Sequence, residues 1–170
     1  MELFELAKAR YSVRKFADKP VEEEKLQKVL AAGALAPTAK NQQPQKIYVL
    51  ESAEAIEKIR GITRCAFNAP VVLLVCGCKD QAWVNPFNDR SSAEMDCSIV
   101  TTQMMLQAQE LGLGTCWVCW FDTALTKQTF NIPENEEVFA LLPLGYPAES
   151  SHPSAMHDSR KPLDETVVRL

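Results

Sequence analysis

RYSVRKF, residues 10–16, is the most informative stretch of this chain of 170 residues. Its polar residues Arg10, Ser12 and Arg14 alternate with an aromatic and an aliphatic residue. If the stretch is extended, this period of two places the three polar side chains on one face. Two guanidinium groups and a hydroxyl on a common face can hold a phosphate through charge-assisted hydrogen bonds. The other interpretation is an exposed strand or helix end with solvated cations, and the stretch alone leaves both open.

Composition restricts the class of protein. Hydrophobic residues make up 46% of the chain and charged residues 24%, which is typical of a globular protein. The length predicts one domain, spanning residues 1–170. A net charge of −4 argues against nucleic acid or an anionic membrane as partner. The longest uncharged stretches, such as residues 69–78, reach about half of the roughly 20 residues that a bilayer requires.

The cysteines and the first residues indicate the compartment. Glu2 and Glu5 stand where a secretion signal would carry cations, so we expect a cytoplasmic protein with six reduced cysteines. CWVC, residues 116–119, would suit zinc or dithiol chemistry. The segment is predicted to be a strand, in which Cys116 and Cys119 point to opposite faces, so burial as small hydrophobic side chains is favoured. No metal site is predicted.

Hydrophobic periodicity predicts about five helices and four strands. The segment 71–78 is almost continuously apolar and therefore predicts a fully buried strand. Ser92 begins the longest predicted helix, which is apolar around most of its circumference and is expected to pack in the core or against a second subunit. The predicted helices cover 3–10, 21–36, 52–60 (ending before Gly61), 92–111 (ending before Gly112) and 122–130, and the predicted strands cover 46–50, 71–78, 115–121 and 138–145.

Three other segments carry candidate binding residues. The loop APTAKNQQPQ, residues 36–45, is rich in amides and hydroxyls that could bind the edge of a heteroaromatic ring, although it could equally be an ordinary connection. Arg160 and Lys161 form a cationic pair in the tail. The segment 79–91 lacks periodicity and contains two aromatic residues, which makes it a candidate lid over a substrate.

Five motifs follow one another in a constant order between about residue 3 and residue 168. Together they resemble the FMN-dependent nitroreductase family: RYSVRKF, APTAKNQQPQ, LGLGTCW (residues 111–117), LGYP (residues 144–147) and SRKPLDE (residues 159–165). The resemblance implies an α+β fold, namely a three-layer α-β-α sandwich with a mostly antiparallel central sheet. It also implies an intertwined homodimer with two FMN sites, each built from both subunits.

The resemblance implies roles for particular residues. Arg10, Ser12 and Arg14 would hold the phosphate, the ribityl chain and part of the pyrimidine edge of FMN, and Arg160 would add a second phosphate contact. Four residues of the partner subunit would line the flavin: Pro37, Thr38, Ala39 and Asn41.

A second group of residues concerns the flavin ring. Cys119 and Trp120 would lie where the family brings its backbone close to the flavin N5, and Trp120 replaces a glycine found in many members. Trp83, Phe87 and Trp120 are candidates for stacking on flat substrates, or for packing in the core or interface.

The activity implied is electron transfer from NAD(P)H to nitroaromatic compounds, quinones or similar flat acceptors, by a ping-pong mechanism. The flavin would supply the chemistry, so no catalytic side chain is assigned. Three alternatives stay open. One is a flavoprotein of the same fold that cleaves a flavin or removes a halide, the second is a module that binds an anionic ligand without redox chemistry, and the third is a dithiol or zinc protein.

Overall fold

The computed structural model describes residues 2–170, which form six α-helices and four β-strands. The helices are α1 (Leu3–Ala9), α2 (Glu23–Ala34), α3 (Ala53–Ile62), α4 (Ala93–Glu110), α5 (Thr123–Phe130) and α6 (Leu163–Thr166). The strands are β1 (Gln45–Leu50), β2 (Val71–Cys78), β3 (Gly114–Thr115) and β4 (Glu136–Gly145). Two short 3-10 turns cover Ala39–Asn41 and Arg64–Ala66. None of the helices in this part of the chain combines the length and apolarity needed to cross a lipid bilayer.

The four strands form one sheet in the order β1-β2-β4-β3, and all three strand pairs are antiparallel. β2 pairs with a strand on each side, and all eight of its residues are buried, as its continuous apolar sequence predicts. A register shift lies between Val75 and Cys76, where β2 pairs with β4. The two edges of the sheet are therefore β1 and β3.

Helices cover both faces of the sheet. Along β2, Leu73 and Val75 join a core cluster with α2 and α4, whereas Val72 and Leu74 join a cluster with α3. This division follows from the alternation of side chains along a strand. The expected three-layer α-β-α sandwich with an antiparallel sheet is confirmed.

α4 is buried along much of its length, and it packs closely on α2. A Cβ atom at Gly33 of α2 would lie 2.8 Å from Cγ of Met104, so the glycine permits this close approach. On its outer side α4 leaves Met95 and Ile99 more than 40% exposed. The apolar character on several sides that the sequence predicts for this helix is thus present.

The predicted strand 115–121 is only partly correct. Regular pairing covers Gly114–Thr115, after which the N–H of Cys116 donates to Pro143 O (3.3 Å) and Val118 forms an isolated bridge with Leu141. Pro143 has no N–H, so the reciprocal hydrogen bond cannot form and the regular ladder ends. The chain nevertheless keeps its register along β4 as far as Val118.

Two helix boundaries also differ from the prediction. α3 extends to Ile62 and includes Gly61, because the following residue Thr63 supplies the N–H that closes the last turn on Ile59 O (3.0 Å). Ser92 precedes α4 as predicted, but its hydroxyl donates to Asp96 Oδ2 (2.7 Å) and does not cap the helix backbone. The short helix α6 has no counterpart in the prediction.

Candidate functional site

The segment that begins at Arg10 is extended and lies beside the outer edge of the sheet. Ser12 forms a parallel bridge with Thr115, and the N–H of Val13 donates to Thr115 O (2.9 Å). Further along, the N–H of Ala17 donates to Tyr146 O (2.8 Å). The segment therefore runs alongside β3 and the end of β4, which fixes which of its side chains face inward.

Val13 anchors this segment in the core. Its side chain is fully buried and lies against Gly114. A Cβ atom at Gly114 would lie 2.8 Å from Cβ of Val13, which is too close for real Cβ atoms. A glycine at position 114 therefore allows the segment to dock on the sheet, and it leaves the alternating polar side chains on the other side.

Arg10, Ser12 and Arg14 alternate with the buried Val13 along the extended segment, and all three influence the thiol of Cys116. Burial raises the pKa of Cys116, and the Arg14 charge, the Ser12 side chain and the Arg10 charge each oppose that rise. In addition, Nη1 of Arg14 donates to Ser12 O (3.2 Å). We call these three residues with Cys116 the cationic edge.

The two guanidinium groups of the cationic edge have no carboxylate partner. The five ion pairs that the structure contains within residues 2–170 all involve lysines elsewhere on the surface. Arg14 is exposed and Arg10 is half-buried. Their charges are thus available to an anionic ligand, and a phosphate matches the geometry of a guanidinium fork.

The same edge of the sheet continues from Cys116 to the segment 119–121. Cys119 is exposed and lies near Phe139 of β4, with Sγ 3.8 Å from Phe139 O. The Trp120 side chain is 74% exposed, and its carbonyl accepts a hydrogen bond from Thr63 Oγ1 (2.6 Å). Along β4 the step from Leu144, which pairs with Thr115, to Phe139 corresponds to about 16 Å. An elongated ligand could therefore lie along this edge.

The polar loop lies elsewhere. Pro37 and Asn41 are exposed, while Thr38 and Ala39 are half-buried. The loop precedes β1, and the N–H of Ala39 donates to Asp96 Oδ1 in α4 (2.9 Å).

Within one chain the loop and the cationic edge are far apart. The loop leads into β1, while the cationic edge lies outside β3, so four strand spacings of together about 19 Å separate them. They also lie at opposite ends of β2, since Gln45 pairs with Gly77 whereas the Thr115 end lies near Val71. One chain does not bring these two groups of predicted site residues together.

The hydrogen bonds of Arg160 lie within its own tail. Its Nη1 donates to Ser159 O (2.8 Å) and Met156 O (3.4 Å), both in its own tail. The tail itself is held close to the start of the segment, because His157 Nε2 lies 3.1 Å from Lys8 O and its ring packs edge-on against Tyr11.

The candidate lid has a defined shape. Trp83 is half-buried and its carbonyl accepts the N–H of Ser92 (2.8 Å), which joins the lid to the start of α4. Val84 pairs with Ser91, and Phe87 at the tip is 95% exposed. Nothing in the contacts of residues 79–91 places Phe87 against the cationic edge.

The cysteines are free thiols with distinct environments. Cys116 is buried as predicted, but the predicted burial of Cys119 is wrong, because the regular strand has ended and its side chain points to the exposed face. Burial raises the pKa of both Cys76 and Cys97 to about 12. In the part of the chain that the structure describes, no group of three or more His, Cys, Asp or Glu side chains is arranged to hold a metal ion.

Sequence patterns did not identify two residues that contact the predicted site residues. Thr63 holds the Trp120 carbonyl, and nothing in its local sequence indicates this contact. Asp96 holds the loop, and here a signal exists. At a spacing of four residues, Asp96 is in line with Val100 and Met104, so a carboxylate lies on an apolar stripe of the helix.

Comparison with known proteins identifies the family of this chain. The model of the nitroreductase family matches residues 7–68 and 64–146. A relative from Methanothermobacter thermautotrophicus, provisionally named NADH dehydrogenase/NAD(P)H nitroreductase, is 32% identical over 163 residues, covering 88% of this chain and 80% of the relative.

Solved structures show the same likeness. A nitroreductase family protein from Clostridium difficile 630 is 42% identical, with a TM-score of 0.93 over 99% of this chain and 98% of the other. A provisionally named nitroreductase from Exiguobacterium sibiricum, solved in complex with FMN, shares the fold at 19% identity, with a TM-score of 0.85 over 100% and 98% of the two chains. From the family model, the relatives and the fold together, this chain belongs to the nitroreductase family.

Proposed function

We propose that residues 1–170 form one FMN-binding domain that transfers electrons from NAD(P)H to nitroaromatic compounds, quinones or similar flat acceptors. The observation that carries this proposal is the cationic edge, where two arginines without carboxylate partners and a serine lie on one extended segment beside β3. Family membership and the names of relatives support an oxidoreductase that uses a nicotinamide donor. We also propose that the enzyme acts in the cytoplasm.

The residues present fit FMN. Arg10, Ser12 and Arg14 would hold the phosphate and the ribityl end, because charged and hydroxyl donors at one place match a phosphate. The edge beyond Cys116 offers the length for the rest of an elongated ligand. Cys119 and Trp120 would then lie beside the ring, where their backbone groups approach it. Arg160 would need to move from its present contacts to add a second phosphate contact.

FMN would supply the redox chemistry when bound, since it accepts and donates electrons where amino-acid side chains cannot. The side chains and backbone of this protein would position FMN and stabilise its negative charges. The arginines would neutralise the phosphate, and backbone N–H groups near residue 120 would stabilise negative charge on the ring system. No side chain is needed as nucleophile or general base.

The proposal includes a homodimer in which Pro37, Thr38, Ala39 and Asn41 of one subunit complete the site of the other. Support comes from the separation of the loop and the cationic edge within one chain. A twofold axis could bring the loop of one subunit beside the cationic edge of the other. An apolar groove of about 870 Å³ between α1, α2 and α4 is a suitable interface; it is lined by residues including Leu3, Leu6, Leu35, Ile99 and Leu106. The tail adds exposed apolar side chains, among them Leu163 and Val168.

A ping-pong cycle is part of the proposal, because one open face beside Trp120 would receive the nicotinamide and then the acceptor. Trp120 is 74% exposed, so its indole is free to stack on flat molecules. The same bulk would restrict which acceptors fit.

The test is the visible absorption spectrum of the purified protein, before and after NADH or NADPH is added without oxygen. We expect a yellow protein whose flavin bands disappear on reduction and return when a quinone or nitroaromatic compound is added. A protein that stays colourless after incubation with FMN contradicts the proposal. Bound FMN whose bands do not respond to either nicotinamide would favour the non-redox binding module, and acceptors that fail to restore the bands would favour another flavin reaction.

A further inference from the structure

Asp96 is a carboxylate in the core of the protein. Its residue is 2% exposed, yet both of its oxygens have hydrogen-bond partners. Oδ1 accepts the N–H of Ala39 (2.9 Å), and Oδ2 accepts the hydroxyl of Ser92 (2.7 Å). A buried charge is tolerated only with such compensation, and the N-terminal end of α4 adds a favourable dipole. The carboxylate therefore has a specific partner outside its own helix.

The loop on the other side of this contact has an unusual backbone. Lys40, Asn41 and Gln43 have φ angles of 51°, 54° and 49°, in the left-handed region that residues with a Cβ adopt at an energetic cost. Strained backbone of this kind persists only where the surrounding structure imposes it, and it concentrates at functional sites. The hydrogen bonds of the loop show which contacts hold these three residues in this conformation.

Most hydrogen bonds of the loop are internal. The N–H of Gln43 donates to Thr38 Oγ1 (3.0 Å), and that of Asn41 donates to Thr38 O (2.9 Å). Across the described chain, one hydrogen bond joins residues 38–43 to another part of the molecule, and this is the bond from Ala39 to Asp96. The flanking residue Pro44 is held separately, because its carbonyl accepts the N–H of Cys78 (2.8 Å), so the bond to Asp96 is the polar contact that orients the middle of the loop on α4.

We infer that Asp96 is a positioning residue for the cofactor site: it holds the 37–43 loop in the conformation in which that loop lines the flavin of the partner subunit. This inference rests on the proposed function. Asp96 touches neither cofactor nor substrate in this role, because it acts through the Ala39 N–H. A leucine at this position would suit the apolar stripe of α4, whereas a carboxylate serves the loop.

Three variants of the full-length protein test the inference. Asp96→Leu removes the acceptor for Ala39, while Asp96→Asn can keep it, because its Oδ1 still accepts from Ala39 and the Ser92 hydroxyl can accept from Nδ2. The matched control is Thr101→Val. Thr101 is also fully buried in α4, but its hydroxyl donates to Cys97 O (2.7 Å) within the helix, away from the loop.

Three measurements apply to each variant: FMN affinity by fluorescence titration, visible circular dichroism of the bound flavin at saturation, and amide hydrogen exchange. We expect Asp96→Leu to weaken FMN binding at least about tenfold, the effect of a lost hydrogen bond to a charged group. Its bound flavin should show an altered dichroism, and exchange should rise at residues 38–43 but not in β2. Asp96→Asn should restore most of the affinity, and Thr101→Val should leave affinity and dichroism as in the wild type. If Asp96→Leu does not fold, Asp96→Ala admits water to the Ala39 N–H and carries the same expectation.

The inference is overturned if Asp96→Leu binds FMN with wild-type affinity and dichroism, if Asp96→Asn is as impaired as Asp96→Leu, or if Thr101→Val produces the same losses. Failure of the proposed function is seen separately, since wild-type protein would then bind no FMN before any variant is made.

Discussion

The cationic edge and the 37–43 loop would form two halves of one site, but they are built on different principles. At the cationic edge the backbone is an ordinary extended segment, and the proposed function would depend on the side chains of Arg10, Ser12 and Arg14. In the loop the backbone itself is unusual, with positive φ at Lys40, Asn41 and Gln43. One half would bind by charge and the other by shape. Consequently, FMN binding by the first half should weaken when an arginine is removed, and binding by the second half should weaken when the Asp96 side chain that holds the loop is removed.

Removal of charge is the sharpest test of the first half. Arg14→Ala should weaken FMN binding by about 1.5–3 kcal/mol, the range for a hydrogen bond to a charged group. The loss should shrink at high salt, because Arg14 is exposed and salt screens its charge. Fluorescence titration at low and high ionic strength measures both effects.

The matched control for Arg14→Ala is Arg60→Ala, which removes an exposed arginine from α3 on another part of the surface. Equal FMN affinity in the two variants would remove Arg14 from the site and would end the distinction between a charged half and a shaped half.

Docking of the segment should depend on the missing side chain at Gly114. Gly114→Ala should lower the free energy of unfolding by about 1–3 kcal/mol, because the new methyl group overlaps with Val13 and a packed core resists extra volume. Urea denaturation measures this change, and Val13→Ala in the same chain should recover part of the loss.

Gly61→Ala is the control for this experiment. Gly61 is exposed in α3, and an added Cβ would meet nothing within 4 Å. This variant should therefore raise the free energy of unfolding by about 0.5–1 kcal/mol, since alanine is the better helix former. A Gly114→Ala variant as stable as wild type would show that the segment docks more loosely than its contacts indicate.

The smallest effect concerns Cys119, which lies on the same edge of the sheet beyond the cationic edge. Cys119 is exposed and should be the first thiol to react with iodoacetamide at pH 8, whereas Cys76 and Cys97 should stay unreacted in the folded protein because burial raises their pKa to about 12. Bound FMN should slow the reaction of Cys119 severalfold relative to the same protein without FMN. Mass spectrometry of the labelled peptides measures this, and labelling of Cys119 that FMN leaves unchanged would place the flavin elsewhere.

Much of the fold could be predicted from local patterns. The continuous apolar run of β2 predicts a strand buried on both faces. Ser52 and Asp122, at which the predicted helices 52–60 and 122–130 begin, cap those helices by accepting the N–H groups of Ala55 and Leu125. Such patterns are reliable because they depend on neighbours in sequence. The end of the β3 ladder was missed because it depends on Pro143, about 27 residues further on and paired only in three dimensions.

Of the candidate site, the sequence alone predicted the charged half, since the alternation of Arg10, Ser12 and Arg14 requires only an extended backbone to place them on one face. Tertiary structure alone decided that this face has no carboxylate partner, that Gly114 lets it dock, and that Asp96 reaches across to Ala39. It also decided that the loop and the cationic edge lie on opposite edges of the sheet. The physical reason is that contacts between distant segments depend on strand order and helix packing, which short-range periodicity does not encode.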